Sequence, residues 1–256
     1  IGKNSETLSQ LRQLVAGLEG CYTPASLPER SAKTGQQRKA EVQAFTGNIN
    51  GGQVHEIWAE EPEDTTPSTA LILNALTETD EPFLWVTSRH QAHEHGLPYG
   101  PGLAIMDIDP ARVLLVRCRD EKEALWAIEE GLKCPGLAAV IGELEHMDLT
   151  ASRRLVLAAR HQNQRCLLLL RTNTEPASAA HSRYRVKPAQ SQPSAANTKA
   201  PGPSKAEIKL TKHRTGKRPS TQTMEWHHAQ DHLSLLAPVA NRTPSPRTAT
   251  AKQALG

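Results

Sequence analysis

The chain has 256 residues, of which 38% are hydrophobic and only 4% aromatic, and its formal net charge is +3. That length supports one good core plus appendages. No apolar run approaches the roughly 20 residues needed to cross a membrane, and the opening IGKNSETLSQLRQL lacks the apolar stretch of a secretory signal. Cys21, Cys118, Cys134 and Cys166 lie far apart with no C-x-x-C pair, which argues against a zinc site of that type and fits a reducing cytosol.

Residues 5–19, SETLSQLRQLVAGLE, place Leu8, Leu11, Leu14, Val15 and Leu18 on one stripe of a helix. Ser5 can cap its start and Gly20 its end. The stripe serves either to dock on its own domain or to bind a partner, and these five residues are the candidate partner-binding set. Residues 21–50 are polar and rich in turn formers, so 1–50 reads as an amphipathic helix and linker. From 51 the pattern alternates: a strand at 54–58, a helix at 68–76, strands at 83–87 and 113–116, and a helix over 120–132 with Asp120 and Glu123 spaced as in a capping box. A strand at 137–142, a helix capped by Thr150 and a strand at 165–171 follow. Near-continuous apolar strands separated by helices imply a parallel sheet covered on both faces.

After 172 the composition shifts. The core is assigned to 51–186. Residues 187–205, rich in Pro, Ser and Ala, are expected to be a disordered linker. Residues 206–237 are expected to form a small antiparallel extension: Ile208 and Leu210 alternate with polar neighbours, 216–220 is a turn, and further strands start near Thr223 and His232. Residues 238–256 read as a flexible tail. The fold class is therefore α/β, a parallel sheet flanked by helices with a short antiparallel C-terminal extension and flexible tails.

The order of these elements resembles the RecA-like fold. More narrowly, the sequence is similar to the ImuA family of damage-inducible mutagenesis proteins. The stretches that carry this are PFLWVTSR (82–89) with YGPGLAIMDIDPARVLLVRCRDEKEALWAIEEGL (99–132), PGLAAVIGELEHMDLTASRRLVLAARHQNQRCLLLLR (135–171), and HSRYRVKP (181–188) with EIKLTKHRTGKRP (207–219). The resemblance implies an accessory protein of SOS-induced, error-prone translesion DNA synthesis, located in the cytoplasm at the nucleoid. It implies ImuB and an error-prone DNA polymerase alpha-subunit homologue as partners, and leaves contact with RecA and self-association as further expectations.

A RecA-like frame raises the question of nucleotide. Set against the pattern G-x-x-x-x-G-K-[ST], Ala59 takes the place of the first glycine, Asp64 of the second, Thr65 of the lysine and Thr66 of the final hydroxyl. A phosphate cradle needs glycines so that backbone N–H groups can close around oxygens, and it needs the lysine's charge. Glu60, Glu61, Glu63 and Asp64 instead stand where a polyanion would sit, and a like charge at about 4 Å costs roughly 1–4 kcal/mol. No nucleotide, cofactor, metal or catalytic residue is assigned. Glu143 or Glu145 could have supplied the acid of an ATP site; without a phosphate loop each reads as a solvent-facing carboxylate at a strand end.

His90, His93 and His95 read as a solvated loop, because H-E-x-x-H is absent. Between 183 and 218 there are ten basic residues and one acid, Glu207, a local excess of nine charges in a chain of net +3. Such a patch attracts phosphates without base specificity; Lys209, Lys212, Arg214, Lys217 and Arg218 are the candidate DNA-binding residues. Three alternatives stay open at this point: an inhibitor of cell division resembling SulA, a plain DNA-binding module, and a divergent ATPase binding nucleotide elsewhere.

Overall fold

The computed structural model describes residues 49, 51–77, 79–175, 177–193, 199–216, 218–227 and 232–235. The leucine stripe of 8–18, its Ser5 and Gly20 ends, most of the 1–50 segment, Lys217 and the 238–256 tail lie outside the described residues.

One nine-stranded sheet organises the chain, in the order β3-β2-β4-β5-β1-β6-β7-β8-β9. The strands are β1 Val54–Ala59, β2 Phe83–Ser88, β3 Val113–Cys118, β4 Val140–Leu144, β5 Cys166–Arg171, β6 Ser182–Ala189, β7 Ser204–His213, β8 Ser220–His227 and β9 His232–Leu235. Pairing is parallel from β3 across to β6. It turns antiparallel for β7, β8 and β9. The helices are α1 Thr65–Asn74, α2 Arg89–His95, α3 Gly100–Ile105, α4 Glu121–Gly131 and α5 Leu149–His161.

The run CLLLLR of β5 shows why the central strands are apolar throughout. Leu167 and Leu169 join a core layer with Ile57, Leu71, Phe83, Trp85 and Tyr184 on one face. Cys166, Leu168 and Leu170 join Val86, Ile128, Leu144 and Leu155 on the other. Both faces are covered, so both sets of alternating side chains must be apolar. Burial pushes the Cys166 thiol well above its ordinary range, as expected of a structural rather than a reactive cysteine.

Local capping sets the helix limits. Asp120 accepts a hydrogen bond from the Glu123 N–H at 2.8 Å and starts α4. Asp148, not Thr150, caps α5 by accepting from the Ala151 N–H at 2.6 Å, because a carboxylate two residues earlier meets the first unpaired amides. Helix α1 starts at Thr65 rather than 68, since the 3-10 turn Pro62–Asp64 feeds it without a break. The histidine segment is helix α2 and not a loop: Ser88 accepts from the Gln91 N–H at 3.2 Å and caps it.

The segment 187–205 also differs from its expected reading. β6 continues to Ala189 and β7 begins at Ser204. The Gly202 N–H donates to the Gln192 carbonyl at 2.8 Å, and Pro193 bridges Pro201. Antiparallel pairing supplies main-chain partners that the composition of the segment does not reveal.

At the change from parallel to antiparallel pairing lies a buried ion pair. Glu56 and Arg183 are directly opposite in the β1–β6 register, 0% and 2% exposed, with Arg183 Nε 2.8 Å from Glu56 Oε2. Arg183 also binds Glu175 at 2.7 Å and the Ser178 hydroxyl at 3.1 Å. That hydroxyl in turn donates to Glu56 at 2.9 Å. In β7 the partners jump from Leu210, opposite Tyr184, to Lys212, opposite Arg183. This bulge at Thr211 turns Lys212 to the face of the pair, where its Nζ donates to the Ser178 carbonyl at 2.5 Å. Removing one member of a buried pair strands the other charge. Glu56→Ala is expected to lower the unfolding free energy by about 3–5 kcal/mol in chemical denaturation, and the double replacement Glu56→Leu/Arg183→Leu to cost less than that single change.

Candidate functional site

The loop after β1 is the place to look for nucleotide chemistry in this frame, because it joins the buried central strand to α1 at the carboxyl end of a parallel sheet. Two of its amides are already occupied. Asp64 is 1% exposed, and its Oδ2 accepts from the N–H groups of both Glu60 and Glu61, each at 3.2 Å. Amides that could have turned toward an external anion are turned toward an internal one. Burial raises the Asp64 carboxyl above its ordinary range; the Glu61 N–H and the charge of Lys187 oppose this, and Glu63 adds to it.

The other acids of the loop do not act as one negative patch, contrary to the expectation. Glu61 and Glu63 are exposed. Glu60 is bound by two cations of β6: Arg185 forms an ion pair with it, and Lys187 lies 3.1 Å away. The pairing follows from the parallel register, which sets Glu56 beside Arg183 and Trp58 beside Arg185. Because side chains on one face recur every second residue, Glu56, Trp58 and Glu60 meet Arg183, Arg185 and Lys187. The Arg185 guanidinium lies 5.0 Å from the centre of the Trp58 ring, and Trp58 Nε1 donates to the Thr172 carbonyl at 2.6 Å. Of the four aligned positions, Ala59 is buried in β1, Thr66 is exposed, and Thr65 opens α1. None brings a cation or a glycine to the loop.

The acid of the second half of the frame is also tied to internal partners. Glu143 is not solvent-facing: it is 5% exposed. It accepts from Thr87 Oγ1 at 2.6 Å and from Arg171 Nη2 at 3.2 Å. Arg171 Nη1 donates to the Gln91 side-chain carbonyl at 2.6 Å, and Gln91 Nε2 donates to Glu145 at 2.5 Å. Glu145 also lies 3.2 Å from His90 Nε2. The ends of β2, β4 and β5 are thereby joined to α2 by a closed polar network. His95, on the same helix, is held below its ordinary range, first by burial and then by Arg171. Hydrogen bonding along this network was not legible in the sequence, because its members are scattered from Thr87 to Arg171.

The basic stretch is largely consumed by the fold. Arg183, Arg185 and Lys187 serve Glu56, Glu175 and Glu60. Lys205 lies 3.9 Å from Glu225, and Lys212 is spent on Ser178. Lys212 is therefore a structural residue rather than part of an open patch. Lys209, Arg214 and Arg218 are exposed and make no ion pair among the described residues. Arg214 lies in the turn between β7 and β8, and Arg218 near its end.

Comparison with known proteins gives two findings. The chain is 30% identical to Protein ImuA from two strains of Caulobacter vibrioides, an alignment spanning 76% of this chain and 84% of the relative. Its fold is similar to that in the crystal structure of the RadB recombinase, with a TM-score of 0.54 and 14% sequence identity over 74% of this chain and 94% of the other. No family model matches.

Substitution at Asp64 tests the closed loop. Asp64→Ala leaves two amides without their acceptor and is expected to cost about 1–3 kcal/mol. Asp64→Asn keeps an acceptor and costs less near neutral pH. Since the folded-state pKa of Asp64 is raised, the native state holds its proton more tightly than the unfolded one. The stability of the wild type relative to Asp64→Asn therefore increases as pH falls from neutral through the folded-state pKa, and levels off below the ordinary aspartate range. Denaturant unfolding at stepped pH measures it.

Proposed function

The chain belongs to the ImuA family, and from that premise we propose that it is a non-catalytic accessory protein of SOS-induced, error-prone translesion DNA synthesis. In this reading it is an adaptor: a RecA-like sheet kept as a scaffold after its nucleotide chemistry has been lost. ImuB and the error-prone polymerase alpha-subunit homologue are the partners it brings together, with RecA as a further contact. The observation that carries the non-catalytic part is the carboxylate of Asp64 seated on the loop amides. An ATP phosphate would have to displace a covalently attached anion and then face Glu61 and Glu63, with Arg185 and Lys187 already paired to Glu60. The buried Glu143 is held between Thr87 and Arg171, which supports the same reading.

A second reading, contact with the nucleic-acid backbone, is favoured by one feature. After the ion pairs are formed, Lys209, Arg214 and Arg218 remain exposed on one hairpin. Three cations give a sequence-independent contact and not base readout.

Purification from DNA-damaged cells at mild salt is expected to recover ImuB or the error-prone polymerase. Recovery of division proteins in their place would overturn the adaptor role. Calorimetry is expected to show no saturable ATP binding, in the wild type or after alanine replacement of Glu60, Glu61, Glu63 and Asp64; tight binding abolished by Glu143→Gln would establish a divergent ATPase. If the hairpin contacts DNA, Arg214→Ala/Arg218→Ala lowers the salt slope of binding by about 2 with no change in sequence preference.

A further inference from the structure

The turn joining β7 to β8, residues 214–219, reads RTGKRP. Only Pro219 among these is apolar, so the turn has little to draw it into a core. Arg214, Thr215, Gly216 and Arg218 are exposed, and burial does not offset the backbone entropy that ordering them costs. Hydrogen bonds order the turn instead. The Arg214 N–H donates to the His181 carbonyl at 2.7 Å, and the Gly216 N–H to the His213 carbonyl at 3.1 Å. Between them, the Thr215 N–H donates to His213 Nδ1 at 3.3 Å, and Thr215 Oγ1 lies 2.8 Å from the same nitrogen.

A main-chain N–H can only donate, so His213 Nδ1 accepts and is the unprotonated ring nitrogen. Thr215 Oγ1 therefore donates to it as well. The ring is itself held in place. It meets His181 edge-on with centroids 4.8 Å apart, and His181 meets His55 at 5.8 Å. His55 is buried on β1, with its Nδ1 2.8 Å from the Ser182 hydroxyl. Ser182 stands opposite His55 in the β1–β6 register and opposite His213 in the β6–β7 register. A row of imidazoles thus carries the position of a buried strand out to an exposed turn.

Charge decides what the turn meets. Arg214 and Arg218 make no ion pair among the described residues, and no acid occurs in the chain between Glu207 and Glu225. A single phosphate is cradled by successive free N–H groups, whereas here the amides of Arg214, Thr215 and Gly216 are spent inside the chain. What remains to offer is guanidinium groups, which suit the phosphates of an extended polyanion. On the reading that this hairpin contacts a nucleic-acid backbone, the structure assigns His213 as the positioning residue of that contact: it fixes the turn that presents Arg214 and Arg218 before the ligand arrives. A pre-set turn loses less conformational freedom on binding.

Anisotropy titration of the full chain with a labelled duplex DNA oligonucleotide tests this. His213→Ala is expected to raise the dissociation constant about fivefold, the equivalent of one net hydrogen bond. The salt slope stays unchanged, because no phosphate contact is removed. His213→Asn places an amide oxygen near the position of Nδ1 and is expected to restore binding; His213→Gln, whose polar end falls near the position of Nε2, is not. Thr215→Val removes only the hydroxyl bond and is expected to cause a smaller loss in the same direction. Thermal melting confirms the fold of each variant. Wild-type affinity in His213→Ala, alongside a lowered salt slope in Arg214→Ala/Arg218→Ala, would overturn the role of His213 and leave the backbone contact standing. Rescue by Gln equal to that by Asn, or rescue by neither, would also overturn it, since the accepting nitrogen would then not be what matters. No binding by the wild type, or an arginine pair whose removal changes nothing, would overturn both. Displacement of the duplex by inorganic phosphate beyond that by chloride at equal ionic strength would assign a single-phosphate site and overturn the inference.

Discussion

The buried pair of Glu56 and Arg183 is the constraint on which the rest of this structure depends. Both charges are removed from water almost completely, which is costly unless partners compensate. Glu56 is served at Oε2 by Arg183 and Ser178; Arg183 is served by Glu56, Glu175 and Ser178. These partners come from β1, from β6 and from the segment between β5 and β6. Satisfying them places β6 parallel to β1 in one register. With that register set, every second residue of β6 faces every second residue of β1, and Arg185 and Lys187 arrive at Glu60. The ladder that seals the junction also ties down the first residue of the loop.

Loop closure is thus a consequence of the sheet and not a property of the loop alone. The four acids counted in the linear sequence divide by environment. Asp64 turns inward and becomes the anion that the amides hold; Glu60 is neutralised from β6; Glu61 and Glu63 remain in water. At the other half of the frame, Glu143 is drawn into a network ending at Glu145 and His90 on the rim. The hydrogen bonds of such a network resist rearrangement, because each bond removed must be replaced inside a low-dielectric interior.

Those same ion pairs limit what the basic segment can do. Ten cations over 183–218 suggest an extended phosphate-binding surface when counted along the chain. In the folded chain half of them serve carboxylates or the Ser178 carbonyl, and Lys209, Arg214 and Arg218 stay exposed on the β7–β8 hairpin. The exposed apolar run Leu114, Leu115 and Val116 lies on β3, at the opposite end of the strand order from the basic hairpin.

How far the sequence by itself determined this protein can be judged element by element. Strands such as CLLLLR and helices such as EKEALWAIEEG were legible because burial on two faces, or on one stripe, imposes a period that survives in one dimension. The missing glycines and lysine of the loop were legible for the same reason: they are neighbours in the chain. β6 and α2 were not read as elements, since SRYRVKPA and RHQAHEH carry polar residues at positions whose burial depends on distant partners. The division of the acids, the burial of Glu143 and Arg183, the withdrawal of Lys212 and the exposure of the apolar run on β3 were decided only by the tertiary structure. Each of these depends on which residues meet across strand registers, among groups as far apart in the chain as Glu56 and Arg183, and no local pattern of side chains encodes such a meeting.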